Sequence, residues 1–213
     1  MTQKILILGA TSGIGKLAMH EAASRGISVR AFARSADDLT ATDLIEPFKG
    51  DALEADDIAR ALDGVDAVIY ALGITESVSM LWKEVTLFSK STEVLLTQMA
   101  QIGPKRLVVV TGFGAGRSKD AMSFLERTGH RAILGKPYAD KDRQEAMIMD
   151  SDLDWTIVRP VILTNNAKTT KYRVLDNAAS WRNGLISRAD VAHYLIDAVA
   201  DDKAVRTDVV LAR

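Results

Sequence analysis

Apolar residues in this chain follow two rhythms. Residues 5–8, 28–33, 67–72, 107–110 and 155–158 are short, nearly unbroken apolar runs. Strands of a parallel sheet, buried on both faces, require such runs. Residues 45–49 predict a weaker strand, closed by Gly50-Asp51. Between the runs the spacing lengthens to that of helices. Ile14, Leu17, Ala18 and Ala22 recur on one helical face before Gly26 ends the segment. Residues 54–62, 83–102 (stopped by Gly103-Pro104), 138–149 and 187–199 predict further helices. Ser35 with Asp38, and Ser187 with Asp190, stand at capping-box spacing. Residues 209–211 predict a last strand at the sheet edge.

Two regions break the rhythm. Residues 112–137 are glycine-punctuated and loop-rich, with a helix expected somewhere within 119–134. Residues 164–184 are irregular, with a short strand expected at 172–175. Strands alternating with helices over short links predict an α/β fold, a doubly wound parallel sheet of Rossmann type. A single domain is expected over 1–213, with 112–137 and 160–184 as its substrate-side loops. In such sheets ligands bind beyond the carboxyl ends of the strands, at the switch point.

The first strand runs directly into Gly9-Ala10-Thr11-Ser12-Gly13-Ile14-Gly15 and then a helix. Strand, glycine-rich turn and helix N-terminus together form a cradle for a diphosphate on backbone N–H groups. Gly9 serves the tight turn, Gly13 lets phosphate approach without meeting a Cβ, and Gly15 lets the helix pack closely on the sheet. The hydroxyls of Thr11 and Ser12 add donors. A purely structural strand-to-helix turn uses glycines too, but the context here favours dinucleotide binding. The second strand then decides which dinucleotide fits. An NAD site places a carboxylate at its end; this chain places Arg34 and Ser35 there. A guanidinium fork suits a ribose 2′-phosphate, so NADP(H) is expected over NAD(H).

Composition narrows the reading. The 213 residues carry 27 basic and 28 acidic side chains for a net charge of −1, which argues against a nucleic-acid binder. There is no cysteine, hence no disulfide, thiolate metal site or cysteine nucleophile. The chain opens on a strand, without a signal-like segment or an apolar run long enough for a bilayer, so a cytoplasmic protein with no membrane partner is expected.

Gly9-Ala-Thr-Ser-Gly-Ile-Gly, Gly50-Asp51, Ala71-Leu72-Gly73, the block from Leu153 to Pro160 and the stretch Ile186-Ser-Arg-Ala-Asp-Val-Ala192 resemble the short-chain dehydrogenase/reductase superfamily. More narrowly they resemble its atypical NAD(P)H-binding branch, with the biliverdin-IXβ/flavin reductases and NmrA-type regulators. The resemblance implies that Asp51 and Ala52 sit against the adenine and that Ala71, Leu72 and Gly73 line the adenosine side. It implies that Arg159-Pro160-Val161-Ile162 flank the nicotinamide. The superfamily's proton donor is a Tyr with a Lys four residues on; here Tyr138 precedes Lys141 by three. Glu145, Ile148 and Ser151 put Lys141 in register and Tyr138 one residue out. Spacings of three and four share a helix face, so Tyr138 is either the proton donor or an amphipathic tyrosine at a helix start after Pro137. Lys141 is expected at the nicotinamide ribose. Thr111 ends the fifth strand as a candidate hydrogen-bonding residue, while Gly112 replaces a second hydroxyl. That departure points toward hydride delivery to an electron-poor ring or double bond rather than alcohol dehydrogenase chemistry.

Arg117, Lys119, Arg127, Arg131, Lys136, Lys141 and Arg143 outnumber the acids in 117–143, which suits a planar, anionic substrate or else a solvated helix face. Trp82, Phe113, Phe124 and Trp181 are candidates for stacking on it, or for core. His20, His130 and His193 show no metal-like spacing, and no metal is expected. Three readings follow: an NADPH-dependent reductase of a flavin, quinone or tetrapyrrole-like acceptor; an NADP(H)-binding sensor without turnover; and an isomerase or epimerase. A monomer or small homo-oligomer is expected.

Overall fold

The computed structural model describes residues 3–74 and 85–213, with the backbone alone for 124–134. Along the chain run β1 (Lys4–Leu8), α1 (Gly13–Ser24), β2 (Ser28–Ala33), β3 (Ile45–Lys49), α2 (Ala55–Leu62) and β4 (Ala67–Tyr70). Then come α3 (Leu87–Ile102), β5 (Arg106–Val110), α4 (Phe124–Asp150), β6 (Asp154–Pro160) and β7 (Ile162–Thr164). The chain closes with β8 (Arg173–Leu175), β9 (Leu185–Ser187), α5 (Arg188–Ala200) and β10 (Thr207–Ala212). The main sheet has the order β3-β2-β1-β4-β5-β6-β10-β8, and β7 and β9 form a separate parallel pair. Every neighbour in the main sheet is parallel except β8, which runs antiparallel to β10. From β1 the chain winds outward through β2 and β3, then returns to β4 on the other side of β1. A crevice therefore opens beyond the ends of β1 and β4.

The alternation of side chains along each strand divides the core between the two faces. Ile5, Ile7, Val29, Ala31, Ile69 and Val108 face one way and pack with Ala18 and Met19 of α1 and Val191, Leu195 and Ile196 of α5. Leu6, Leu8, Phe32, Val68, Tyr70, Val109 and Ile157 face the other way, onto Ile58 of α2, Leu95 and Met99 of α3 and Ile148 of α4. Helices on both faces are what the unbroken apolar runs demanded.

Two helix starts are secured differently. At α5, Ser187 accepts the Asp190 N–H at 2.9 Å and its hydroxyl donates to the Asp190 carboxylate at 2.8 Å, so Ser187 caps the helix. At α3 the cap comes from α4: buried Asp140 accepts from the N–H groups of Phe88 and Ser89 at 2.8 and 3.3 Å. A carboxylate at a helix N-terminus also meets the positive end of its dipole.

Six expectations are corrected. The segment 112–137 is not mostly loop, and no helix starts at Tyr138: α4 is one 27-residue helix with Pro137 inside it. Proline removes one backbone bond, and the long stretches of helix on either side carry it. Residues 209–211 do not form an edge strand, because β8 covers β10 on its outer side. The fourth strand stops at Tyr70, with Ala71 still donating its N–H to the Leu8 carbonyl at 3.0 Å and Leu72 lying past its end. Ser35 makes no side-chain cap; its hydroxyl donates to Thr11 Oγ1 at 3.2 Å. Nor is Trp181 a stacking surface for substrate. It is buried, lies over the guanidinium groups of Arg159 and Arg117 at 5.0 and 5.2 Å, and donates to the Leu175 carbonyl at 2.9 Å. Trp82 lies outside the described residues, as does the side chain of Phe124. Among the described residues no helix is long and apolar enough to cross a membrane.

Candidate active site

At the end of β1 the backbone turns at Gly9, whose φ of +87° is open to glycine. A Cβ there would stand 2.7 Å from the Ala71 carbonyl oxygen, so the turn and the strand-end beside it touch backbone to backbone. A Cβ on Gly15 would run into the Gly9 carbonyl, which is how closely α1 sits on the turn. Gly13 differs. Its φ is +53° and nothing lies within 4 Å of where its Cβ would be. The space beside it belongs to a cavity of about 680 Å³, and Ser12, Gly13 and Ile14 line that cavity's near end. An open, backbone-lined pocket at the N-terminus of a 12-residue helix fits a diphosphate.

Arg34 is exposed just past β2. The Gly9 and Ala10 N–H groups donate to the Phe32 carbonyl at 2.9 and 3.3 Å, and Ser35 reaches Thr11, so Arg34 and Ser35 adjoin the glycine turn. Ala10 is fully buried behind it. Asp51 and Ala52 lie at the end of neighbouring β3, outside the cavity. Ala52 is buried, and Asp51 accepts from the Leu53 N–H at 3.0 Å. Ala71, Leu72, Gly73, Pro160, Val161 and Ile162 all line the cavity, on the strand-ends either side of β5.

The end of β5 makes the floor. Tyr138, one residue out of the expected register, still reaches it, because Gly112 has no side chain: a Cβ on Gly112 would stand 2.5 Å from the Tyr138 hydroxyl. Lys141, one helical turn on, donates to the Thr111 carbonyl at 2.6 Å and lies 5.1 Å from the ring centres of Tyr138 and of Phe88. Burial is the main reason its pKa is brought down to about 8; the charge of Glu145 opposes this. The Thr111 hydroxyl turns away from the cavity and donates to Glu145 Oε1 at 2.6 Å.

Beneath that floor lies a network that the sequence reading missed. Arg159, with no exposed surface, pairs with both oxygens of Glu145 at 3.0 and 2.7 Å and with Asp208 at 2.6 Å. Arg117 closes it on Asp208 at 3.1 and 2.5 Å. Burial pushes the Asp208 carboxyl up, but the hydrogen bonds from Arg117 and Arg159 outweigh it and hold the group below the usual carboxylate range. Gly116, at φ +52°, passes so close to Glu145 that any side chain would collide with the carboxylate. The network orients Thr111 and, through the Thr111 carbonyl, Lys141.

The predicted basic lid is therefore largely spent on structure. Arg117 serves Asp208, Lys119 pairs with Asp142, and Arg143 with Asp140 at 3.1 Å. The side chains of Arg127 and Arg131 lie outside the described residues. The sequence reading also left out Ile74, Phe88, Val110, Met122, Leu163, Asn183 and Arg188, which complete the described wall.

The NAD(P)H-binding family matches residues 9–202, from the glycine turn to the end of α5. The chain belongs to that family. The glycine turn and the Ile186–Ala192 stretch both lie within the matched residues. Solved structures share the fold. The anaerobilin reductase ChuY from Escherichia coli O157:H7 superposes with a TM-score of 0.82 at 23% identity over 99% of this chain and 97% of its own. The oxidoreductase YlbE from Lactococcus lactis gives 0.83 at 18%, over 99% and 91%. A short-chain dehydrogenase/reductase from Veillonella parvula DSM 2008, solved with NADP, gives 0.83 at 16%, over 100% and 95%.

Proposed function

We propose that this family member is an NADPH-dependent reductase that delivers hydride to a planar, conjugated acceptor of the flavin, quinone or tetrapyrrole class. The observation that carries the reading is one continuous cavity, running from the phosphate turn at Ser12–Ile14 to the floor of Thr111, Gly112, Tyr138 and Lys141. A diphosphate belongs at its near end and a reacting ring at its far end. ChuY, with the same fold, is described as an anaerobilin reductase, a precedent for a tetrapyrrole acceptor.

The nicotinamide, when bound, supplies the hydride. The chain supplies position. Arg34 and Ser35 receive the 2′-phosphate, the N–H groups of Ser12, Gly13 and Ile14 at the cavity's near end take the diphosphate, and Pro160, Val161 and Ile162 flank the ring. Lys141 holds the nicotinamide ribose and keeps a proton at the floor. Tyr138 places a hydroxyl beside Gly112, within the same wall. Gly112, Phe113 and Met122 on one side and Pro160 to Leu163 with Asn183 on the other border the acceptor.

The second reading is a sensor that binds NADP(H) without turnover. One observation favours it: the Thr111 hydroxyl is given to Glu145 and Gly112 has none, so β5 ends without the paired hydroxyls of alcohol-reducing relatives. NADPH oxidation by purified protein with flavins, quinones and biliverdin separates the two. Turnover with any of them supports the reductase; saturable NADPH binding with none supports the sensor.

A further inference from the structure

The described wall of the cavity contains two charged side chains, Lys141 and Arg188, and no carboxylate. Lys141 is held by the Thr111 carbonyl at the floor. Arg188 opens α5 and borders the cavity in company with Asn183, Ile162 and Leu163, all on the 160–188 side.

Its partners set it apart from the arginines behind the floor. Arg159, Arg117 and Arg143 are each matched by a carboxylate. Arg188 donates to the amide oxygen of Asn165 at 2.8 Å, a neutral acceptor that leaves its charge uncompensated among the described residues. Asp190, close by in sequence, does not neutralise it. That carboxylate accepts from the N–H groups of Thr169 and Thr170 and the hydroxyls of Thr169 and Ser187. A guanidinium has five N–H donors in a planar fork, suited to carboxylate or phosphate. Most of that fork remains for a ligand. The neighbouring wall is apolar, through Phe113, Met122 and Val161.

We propose that Arg188 anchors the anionic substituent, carboxylate or phosphate, of a planar acceptor whose ring lies on the apolar wall. The proposal rests on the reductase reading and names the acceptor's chemistry.

The test uses two matched pairs: FMN with riboflavin for a phosphate, and biliverdin with its dimethyl ester for carboxylates. Wild-type protein is expected to prefer one or both anionic members by about tenfold in kcat/KM, the scale of a single charge-assisted contact. The pair that shows the preference identifies the anion. In R188Q the preference should vanish through a rise in KM, with the neutral members and the NADPH Kd unchanged, and R188K should restore part of it. No preference in wild type, or equal losses on both members of a pair, overturns the proposal. A weakened NADPH Kd would do so too, by assigning Arg188 to the cofactor. If wild type oxidises NADPH with none of the four nor with a quinone, the reductase reading fails separately. The anchor is then read by ligand-induced quenching of tryptophan fluorescence on NADP-loaded protein. An R188-dependent preference for the anionic member supports it, and its absence refutes it.

Discussion

A Cβ on Gly112 would stand 2.5 Å from the hydroxyl of Tyr138. The missing side chain at the end of β5 and the tyrosine placed one residue early on α4 are thus one arrangement: the first leaves the room that the second fills. Gly112→Ala should push the Tyr138 ring off the floor while leaving the phosphate turn alone. NADPH affinity should be unchanged and kcat should fall about 10²-fold, the usual effect of misplacing a reacting group by an ångström. Steady-state kinetics and cofactor titration check this. An unchanged kcat would remove Tyr138 from the chemistry.

Arg34→Ala should weaken NADPH binding by about 1.5–3 kcal/mol, as expected for a hydrogen bond to a charged group, and leave NADH almost unaffected. Calorimetric titration of both cofactors decides it. Equal losses would mean that Arg34 does not read the 2′-phosphate.

Gly13→Ala meets no protein atom, yet φ of +53° costs a side chain about 1–2 kcal/mol. A small loss of thermal stability should accompany loss of both NADPH and NADH binding, since the new methyl group fills the phosphate space. Full cofactor affinity would remove the diphosphate assignment from this turn.

Lys141 has its pKa lowered to about 8 by burial, so the free protein holds the ammonium below that pH and loses it above. If the ammonium acts, kcat/KM should be flat below about pH 8 and fall above it, since kcat/KM reports groups of the free enzyme. Lys141→Met should abolish the limb along with most of the rate. The sign for stability is opposite: the unfolded chain keeps its proton to higher pH, so this group makes the fold more stable as pH rises from about 8 toward 10.5. A pH–rate profile that stays flat past pH 9 would contradict a role for the charged lysine.

Glu145→Gln leaves Arg159 buried with one carboxylate fewer. Breaking a buried pair from one side costs about 3–5 kcal/mol. Urea unfolding should show that loss, and the Thr111 hydroxyl should be released toward the cavity. A loss under about 1 kcal/mol would mean that water compensates the site.

Much of this was legible in the residues. The strands at 28–33 and 45–49 and the glycine turn could be placed because apolar runs and glycines are local signals. The long α4 could not. Gly129, Gly135 and Pro137 punctuate it as a loop would be punctuated, and only its packing on α3 and the floor shows one helix. The Thr111–Glu145–Arg159–Asp208 network was invisible for a different reason. Its members lie 14 to 49 residues apart on a helix and three strand-ends, and read singly each is an ordinary surface charge or hydroxyl. Arg188 lay inside a stretch already noticed, but its unmatched charge appears only once the carboxylates around it are seen to be engaged elsewhere.

Titration of purified protein with NADPH and NADH, followed by fluorescence and melting temperature, tests the central claim most directly. Saturation by NADPH at micromolar concentration, with NADH at least about tenfold weaker, is the expected result for a guanidinium that reads the 2′-phosphate. No response to either nucleotide at millimolar concentration would contradict it.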